Sequence, residues 1–300
     1  MHTFDRRHFL TISAALAASA HRLAAFAEDN ASPNKRLKKA VKFGMVQGNA
    51  SILEKFQLLK ELGYDGVEMD SPAKIDRAEV VSARDKTGLT VHGVVDSVHW
   101  KDTLSHPDAA VRARGIEGLK TALADSKYYG GTTVLLVPAV VNKEVSYDAA
   151  YERSQAEIRK VLPQAEDLGI KIALENVWNQ FLLSPLETAR YIDEFKSPAI
   201  GAYFDVGNVV NFGWPEQWIE ILGKRIMKLD IKEFSRKERD ARGTWHGFEV
   251  EIGDGDCDWP AVMKALAAID YRGWATAEVG GGDRQRLAEI AARMDKAFAS

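Results

Sequence analysis

The chain has 300 residues, a formal net charge of -3, and 46% hydrophobic against 28% charged side chains, an ordinary globular balance. With 40 Lys and Arg against 43 Asp and Glu, it carries no basic footprint for nucleic acid and is expected to take a small neutral or anionic partner. The single cysteine, Cys257, excludes an internal disulfide and reads as a small packing residue.

Residues 1–27 differ from the rest. Arg6-Arg7-His8-Phe9-Leu10 is followed by an Ala-rich apolar stretch carrying Ile12, Leu16 and Leu23, and then by Ala25-Phe26-Ala27, a small-x-small cleavage pattern. This is the form of a twin-arginine export signal, too short and too interrupted to span a bilayer. That route carries folded chains, so the expected location is the periplasm, with any metal acquired before export and no membrane attachment afterwards. Residues 28–39, which include Pro33 and Lys35-Arg36-Leu37-Lys38-Lys39, read as a flexible polar lead-in, and residues 40–300 as one domain.

From there strands and helices alternate. β-rich runs fall at Val41–Gln47, Gly66–Asp70, Leu89–Asp96, Thr133–Pro138, Lys171–Glu175, Ile200–Asp205, Ile226–Glu233 and Ala275–Val279. Amphipathic helical stretches include Ile52–Leu62, Ala109–Tyr128, Ala149–Leu168, Pro185–Phe195, Pro215–Leu222, Trp259–Ile269 and Arg284–Phe298. Ser184 and Asp258 are placed as N-caps, and Gly63, Gly88 and Gly169 as helix ends. Eight such units predict a parallel sheet closed into a (β/α)8 TIM barrel. An open doubly wound sheet loses support because Gly44 and Gly48 make no phosphate-binding loop after the first strand. Residues 235–256 form the one long insertion and read as a lid or rim loop.

In such a barrel alternate residues face the lumen, and functional groups gather at the C-terminal strand ends. With Ile172 and Leu174 outward, Glu175 points in; with Ala202 and Phe204 outward, Asp205 points in. With Met227, Leu229 and Ile231 outward, Lys228, Asp230 and Lys232 face the lumen, and with Ala275, Ala277 and Val279 outward, so does Glu278. Any one of these carboxylates could be paired with a lysine or arginine. Four at matching strand ends would repel one another in a low-dielectric mouth, and a divalent cation is the simplest resolution.

The sequence resembles the sugar isomerases and epimerases with a xylose isomerase-like TIM barrel, a family that includes tagatose 3-epimerase and hexulose-phosphate isomerases. The resemblance lies in the order and spacing of Gly63-Tyr64-Asp65-Gly66-Val67-Glu68, Ala173-Leu174-Glu175-Asn176, Phe204-Asp205-Val206-Gly207-Asn208, Lys228-Leu229-Asp230-Ile231-Lys232-Glu233, and Gly253-Asp254-Gly255-Asp256 leading to Asp258-Trp259-Pro260. It implies one divalent ion held by Glu, Asp, His and Glu, of which Glu175, Asp205 and Glu278 match three. Asp230 stands where the family has its histidine, and an all-carboxylate set favours Mn2+ or Mg2+ over Zn2+.

The resemblance further implies proton abstraction next to a carbonyl through an enediolate, with Glu175 or Glu278 as the base and the other returning the proton. Lys232 is then an electrostatic stabiliser or proton donor, or else a counter-ion to the cluster. Glu68, His92, His99, Trp100, Asn176, Asn208 and His246 are candidates for substrate contact, with the two asparagines equally placed to steady the ligands. Export and the missing phosphate loop point to an unphosphorylated sugar or glycoside. A lyase acting on a 3-keto-glycoside by β-elimination would use the same site, and a non-catalytic sugar-binding barrel is the third reading. Barrels of this kind often form dimers or tetramers, but no surface feature of the sequence requires it.

Overall fold

The computed structural model describes residues 36–300. The expected export signal and residues 28–35 of the lead-in lie outside the described residues. The strands are β1 Leu37–Lys42, β2 Gly66–Ser71, β3 Thr90–Asp96, β4 Thr133–Leu136, β5 Lys171–Glu175, β6 Ile200–Asp205, β7 Ile226–Ile231 and β8 Gly273–Ala277. They pair in chain order, all parallel, and β1 closes the ring on β8 from Leu37 opposite Gly273 to Val41 opposite Ala277. The fold is a single (β/α)8 TIM barrel.

The helices are α1 Ile52–Glu61, α2 Arg77–Thr87, α3 Ala109–Tyr129, α4 Tyr147–Leu168, α5 Pro185–Asp193, α6 Val206–Val210, α7 Pro215–Leu222, α8 Arg236–Arg242, α9 Trp259–Ala268 and α10 Arg284–Phe298. Their starts follow local chemistry. Ser51 and Glu54 form a reciprocal capping box on α1, and Ser184 and Asp258 accept from backbone amides of α5 and α9. Gly88 and Gly169 close α2 and α4 in the left-handed region, at φ 65 and 67, where a side chain would be strained.

Several strand boundaries depart from expectation; β4 and β7 each end two residues early, at Leu136 and Ile231. β1 starts at Leu37, so Leu37–Lys39 belong to the barrel rather than to the lead-in; it ends at Lys42, where Phe43–Met45 turns as a 3-10 helix. β8 ends at Ala277, although the Glu278 amide still donates to the Ile231 carbonyl at 3.0 Å. Met227 packs with the lumen group of Leu135, Ala173 and Tyr203 instead of facing outward, next to the point where the β6–β7 pairing shifts register. α2 was not among the expected helices: only Val80 and Ala83 are buried on it, too narrow a stripe to stand out in the sequence.

Residues 235–256 fold back as α8 and a 3-10 turn, Thr244–Phe248, over one side of the mouth. One buried carboxylate anchors them. Glu233 accepts from the amides of Phe234, Gly253 and Cys257 and from the indole N–H of Trp259, at 2.8–3.1 Å. A Cβ at Gly255 would stand 2.6 Å from that carboxylate, and Gly253 sits at φ 89, where a side chain would be strained, so each glycine has its own reason. The Glu233→Ala variant is expected to lose on the order of 3 kcal/mol of stability, because four donors are left without an acceptor. Urea melts measure the loss, and trypsin should then cut at Lys237, Arg239 or Arg242 under conditions that leave the wild type intact.

Candidate active site

The C-terminal ends of β5 to β8 bring four side chains to one point. One oxygen from each of Glu175, Asp205, Asp230 and Glu278 lies within 4.8 Å of the other three. Sheet register explains the convergence, since Asp205 pairs with Asp230 across β6 and β7, and Glu175 lies opposite Tyr203 on β6. Glu175, Asp205 and Asp230 are buried, whereas the Glu278 side chain remains 34% exposed.

Two ammonium groups enter the cluster. Lys232 lies 2.6 Å from Glu278 and 3.1 Å from Asp205. Lys42, at the end of β1, lies 2.9 Å from Asp230, 3.1 Å from Glu68 and 3.6 Å from Glu278. Lys42 was not among the residues expected here, because the first strand was placed from Val41 onward and its inward face went unread. Its partner Glu68, in the middle of β2, is buried against the same cluster.

The protonation pattern reflects crowding. Burial, then Glu278 and Asp230, push the Glu175 carboxyl well above the carboxylate range. Burial also drives Asp230 well up against the pull of Lys42, and raises Asp205 to about 6. Burial would raise Glu278 too, but Lys42 and Lys232 outweigh it and hold that carboxyl at about 2.

Two ammonium groups face five carboxylates, counting Glu68. Buried oxygens of Asp230 (Oδ1) and Glu68 (Oε1) have no hydrogen-bond partner. Hard oxygen donors with separations up to 4.8 Å suit a single ion with metal–oxygen distances of about 2.0–2.6 Å. The cluster therefore fits a divalent cation of the Mg2+, Mn2+ or Ca2+ kind.

Asn176 and Asn208 fix the cluster from behind. Asn176 accepts from the Asp205 amide at 2.8 Å and donates to the Asp205 carbonyl at 2.9 Å; Asn208 donates to the Asn176 carbonyl at 3.0 Å. The Asn208 amide donates to Asp205 Oδ1 at 2.7 Å, so Asp205 also caps α6. Their side-chain amides are thus engaged in positioning the carboxylates rather than left free for a sugar.

The other sequence candidates separate. Trp100, 52% exposed, lines a cavity of about 480 Å³ over the carboxylates, together with Glu175, Glu278, Lys232, Trp178, Trp245 and Phe248. Trp178, Trp245 and Phe248, which sequence reasoning missed, form an aromatic wall with ring centroids 4.8–6.3 Å apart. His99 is buried behind Trp100, its Nδ1 accepting from the Val137 amide at 3.2 Å, and burial pushes it down to about 3. It backs the Trp100 ring and does not reach the cavity.

His92 lies on the lumen floor. Its ring stacks on Trp274 at 4.6 Å, and its nitrogens meet Lys228 Nζ at 2.8 Å and Thr276 Oγ1 at 3.2 Å. Lys228 is in turn lowered to about 7 by burial. His246 sits on the outer side of the insertion, bonded to Glu249 at 2.8 Å. Neither histidine is brought to the carboxylates.

The family model for the xylose isomerase-like TIM barrel matches residues 56–297. The chain belongs to that family. It is 27% identical over 172 residues to L-ribulose-5-phosphate 3-epimerase UlaE of Salmonella typhi, a match spanning 52% of this chain and 59% of that enzyme. Among solved structures, D-allulose 3-epimerase from Methylomonas sp. in complex with D-allulose superimposes with a TM-score of 0.70 at 23% identity, covering 87% of this chain and 97% of that one. The 3-keto-D-glucoside 4-epimerase YcjR from E. coli gives a TM-score of 0.72 at 18% identity, covering 88% of this chain and all of that one, 100%.

One further carboxylate near the mouth has a measurable consequence. Asp96, buried at the end of β3, is raised to about 7 by burial, against the pull of the Val98 amide. The fold therefore binds this proton more tightly than the unfolded chain, so the contribution of Asp96 to stability is fully present below pH 4 and declines as pH rises toward about 7. Asp96→Asn should melt several degrees above the wild type at pH 8 and together with it at pH 4, as read by circular dichroism.

Proposed function

We propose that the chain is a sugar isomerase or epimerase that moves a proton at the carbon next to a carbonyl, using one divalent ion, Mn2+ or Mg2+, held by Glu175, Asp205, Asp230 and Glu278. The observation that carries this reading is the convergence of four carboxylates with an unpartnered buried Asp230 oxygen beneath an aromatic-lined cavity. When bound, the ion supplies Lewis acidity to a sugar carbonyl and its adjacent hydroxyl.

The residues divide the work by exposure. Asp205 and Asp230 are fully buried and serve as holders. Glu175 and Glu278 line the cavity from β5 and from the end of β8, three strands apart, so they approach a sugar lying across the mouth from different directions. One removes the proton and the other returns it, which is what inversion at a carbon requires. Lys232, 2.6 Å from Glu278, keeps that carboxylate ionised and offers positive charge where an oxyanion develops. Among the described residues it is the only cationic side chain lining this cavity, and it is tied to two carboxylates, an arrangement that suits a neutral sugar better than a phosphate. An unphosphorylated sugar in the periplasm fits that arrangement and the N-terminal sequence.

A lyase acting on a 3-keto-glycoside is the second reading, supported by a mouth roomier than a single sugar ring needs. The same proton abstraction there expels the substituent from the neighbouring carbon.

Elemental analysis of the purified chain should find one Mn2+ or Mg2+ per protein, lost in Glu175→Gln and Asp230→Asn; Asp230→His should shift retention toward Zn2+. A metal content unaffected by these changes would overturn the assignment of the site. For the reaction, free ketoses and 3-keto-glycosides are incubated in D2O. Deuterium entering the carbon next to the carbonyl marks an epimerase or isomerase, and an ultraviolet-absorbing unsaturated ketone marks the lyase. Glu175→Gln should lower either rate at least 10²-fold. Neither product from any sugar tested would leave a binding barrel.

A further inference from the structure

Behind the aromatic wall lies a second cavity of about 250 Å³. It shares Val177, Trp178 and Asn208 with the cavity over the carboxylates, so the two adjoin at Trp178. Among the described residues its lining carries no charged side chain: Phe181, Leu182, Leu183, Phe212 and Trp218 supply the apolar surface, and neutral amides with the Thr244 hydroxyl supply the polar part.

This cavity is built rather than incidental. Gln180 and Leu182 are held at φ 61 and 53, a region non-glycine residues rarely enter, and such strain persists only where the surroundings enforce it. The enforcing contacts are present. The Leu182 amide donates to the Tyr147 hydroxyl at 3.0 Å, the Leu183 amide to Glu187 at 3.1 Å, and Asn179 donates to the Ala139 carbonyl at 2.8 Å. On the dividing wall, the Trp178 indole donates to the Asn208 carbonyl at 2.9 Å, which fixes the ring plane. Trp245 lies 4.9 Å from that ring and yet is 71% exposed, and Phe212 at the outer edge is 52% exposed.

We infer that this second cavity is a subsite for the apolar, ring-shaped aglycone of a glycoside whose sugar ring lies over the carboxylates. The inference rests on the sugar reading above and narrows its substrate class from free sugars to glycosides with an apolar group. The chemistry follows from the two linings. Carboxylates and Lys232 meet hydroxyls on one side of Trp178, while flat apolar rings without charge meet a flat apolar group on the other. A second sugar, with hydroxyls around its rim, would leave most of them facing Phe181, Leu183 and Phe212 without partners.

The test is calorimetric binding to the metal-loaded full chain, using free D-fructose and the methyl and phenyl β-glycosides of D-glucose and D-galactose, none of the glycosides carrying the carbonyl needed for turnover. Phenyl glycosides should bind at least tenfold more tightly than their methyl counterparts, and Leu183→Ala and Phe212→Ala, both at exposed positions of the second cavity, should each shrink that ratio at least threefold while leaving the methyl affinities within twofold. Equal affinities, or a ratio untouched in both variants, would overturn the subsite and leave the sugar reading standing if fructose or the methyl glycosides bind. If none of the ligands binds, both fall. Sedimentation of the same variants provides a last arm: a dimer that dissociates in Phe212→Ala with ligand preference unchanged would assign this lining to a second copy of the chain and overturn the subsite.

Discussion

The structure depends on what a closed barrel does to charge. Eight parallel strands aim every second side chain at a common axis, and at the C-terminal end of this axis five carboxylates and two ammonium groups share one small volume. In water such a set would spread out; here the sheet register forbids it, since Asp205 and Asp230 are locked opposite each other and Lys42 opposite Glu68. Burial, reinforced by this crowding, raises Glu175 and Asp230 while Glu278, touched by both lysines, is held low. The neighbouring elements serve to hold this arrangement: Asn176 and Asn208 tie the ends of β5 and β6, and the helix starting at Val206 is capped by Asp205 itself.

The lumen beneath the carboxylates solves the same problem by a different route. Lys228 hydrogen-bonds not to acids but to His92, from which a chain of hydrogen bonds runs through Thr276 to the Tyr203 hydroxyl. Burial lowers Lys228 to about 7 and His92 well below its usual range, so this floor tends toward neutrality while the mouth above stays charged. Glu233, two residues past the end of the strand that carries Lys228, spends its carboxylate on four donors of the chain leading to α9 and takes no part in the cluster. The lumen side of β7 thus carries a neutral network and part of a proposed metal set, and the chain just beyond it a structural anchor.

Periodicity made the barrel and the carboxylate quartet legible, because a strand's parity is a local property: Glu175, Asp205, Asp230 and Glu278 follow from apolar neighbours at alternate positions. What escaped depended on contacts between distant segments. Lys42 comes from a strand whose start is masked by a polar run, Lys38-Lys39, which reads as linker although Lys39 is paired with Asp295 on the last helix. Trp178, Trp245 and Phe248 meet only because the insertion folds back, and nothing in their local sequence distinguishes a rim aromatic from a core one. For His92 and His246 the sequence left the depth open: a histidine on or near a strand end carries no mark of which layer its ring will occupy, and Lys228 and Glu249 decide it.

Lys42 also changes the meaning of Asp230. Read alone, an aspartate where the family resemblance leads one to expect a neutral histidine adds a full negative charge to a site already rich in them. The structure sets the Lys42 ammonium 2.9 Å from that aspartate, supplied by the strand on the far side of β8, so one charge is offset by another and the total matches that of a histidine with no lysine beside it. The departure is then less a more negative site than a harder one, an oxygen donor in place of nitrogen at the same net charge. It follows that Lys42, Asp230 and Glu68 are coupled: losing the lysine alone would leave two buried carboxylates uncompensated, while exchanging Lys42 and Asp230 together, for a neutral residue and a histidine, would conserve the net charge but leave Glu68 without its cation.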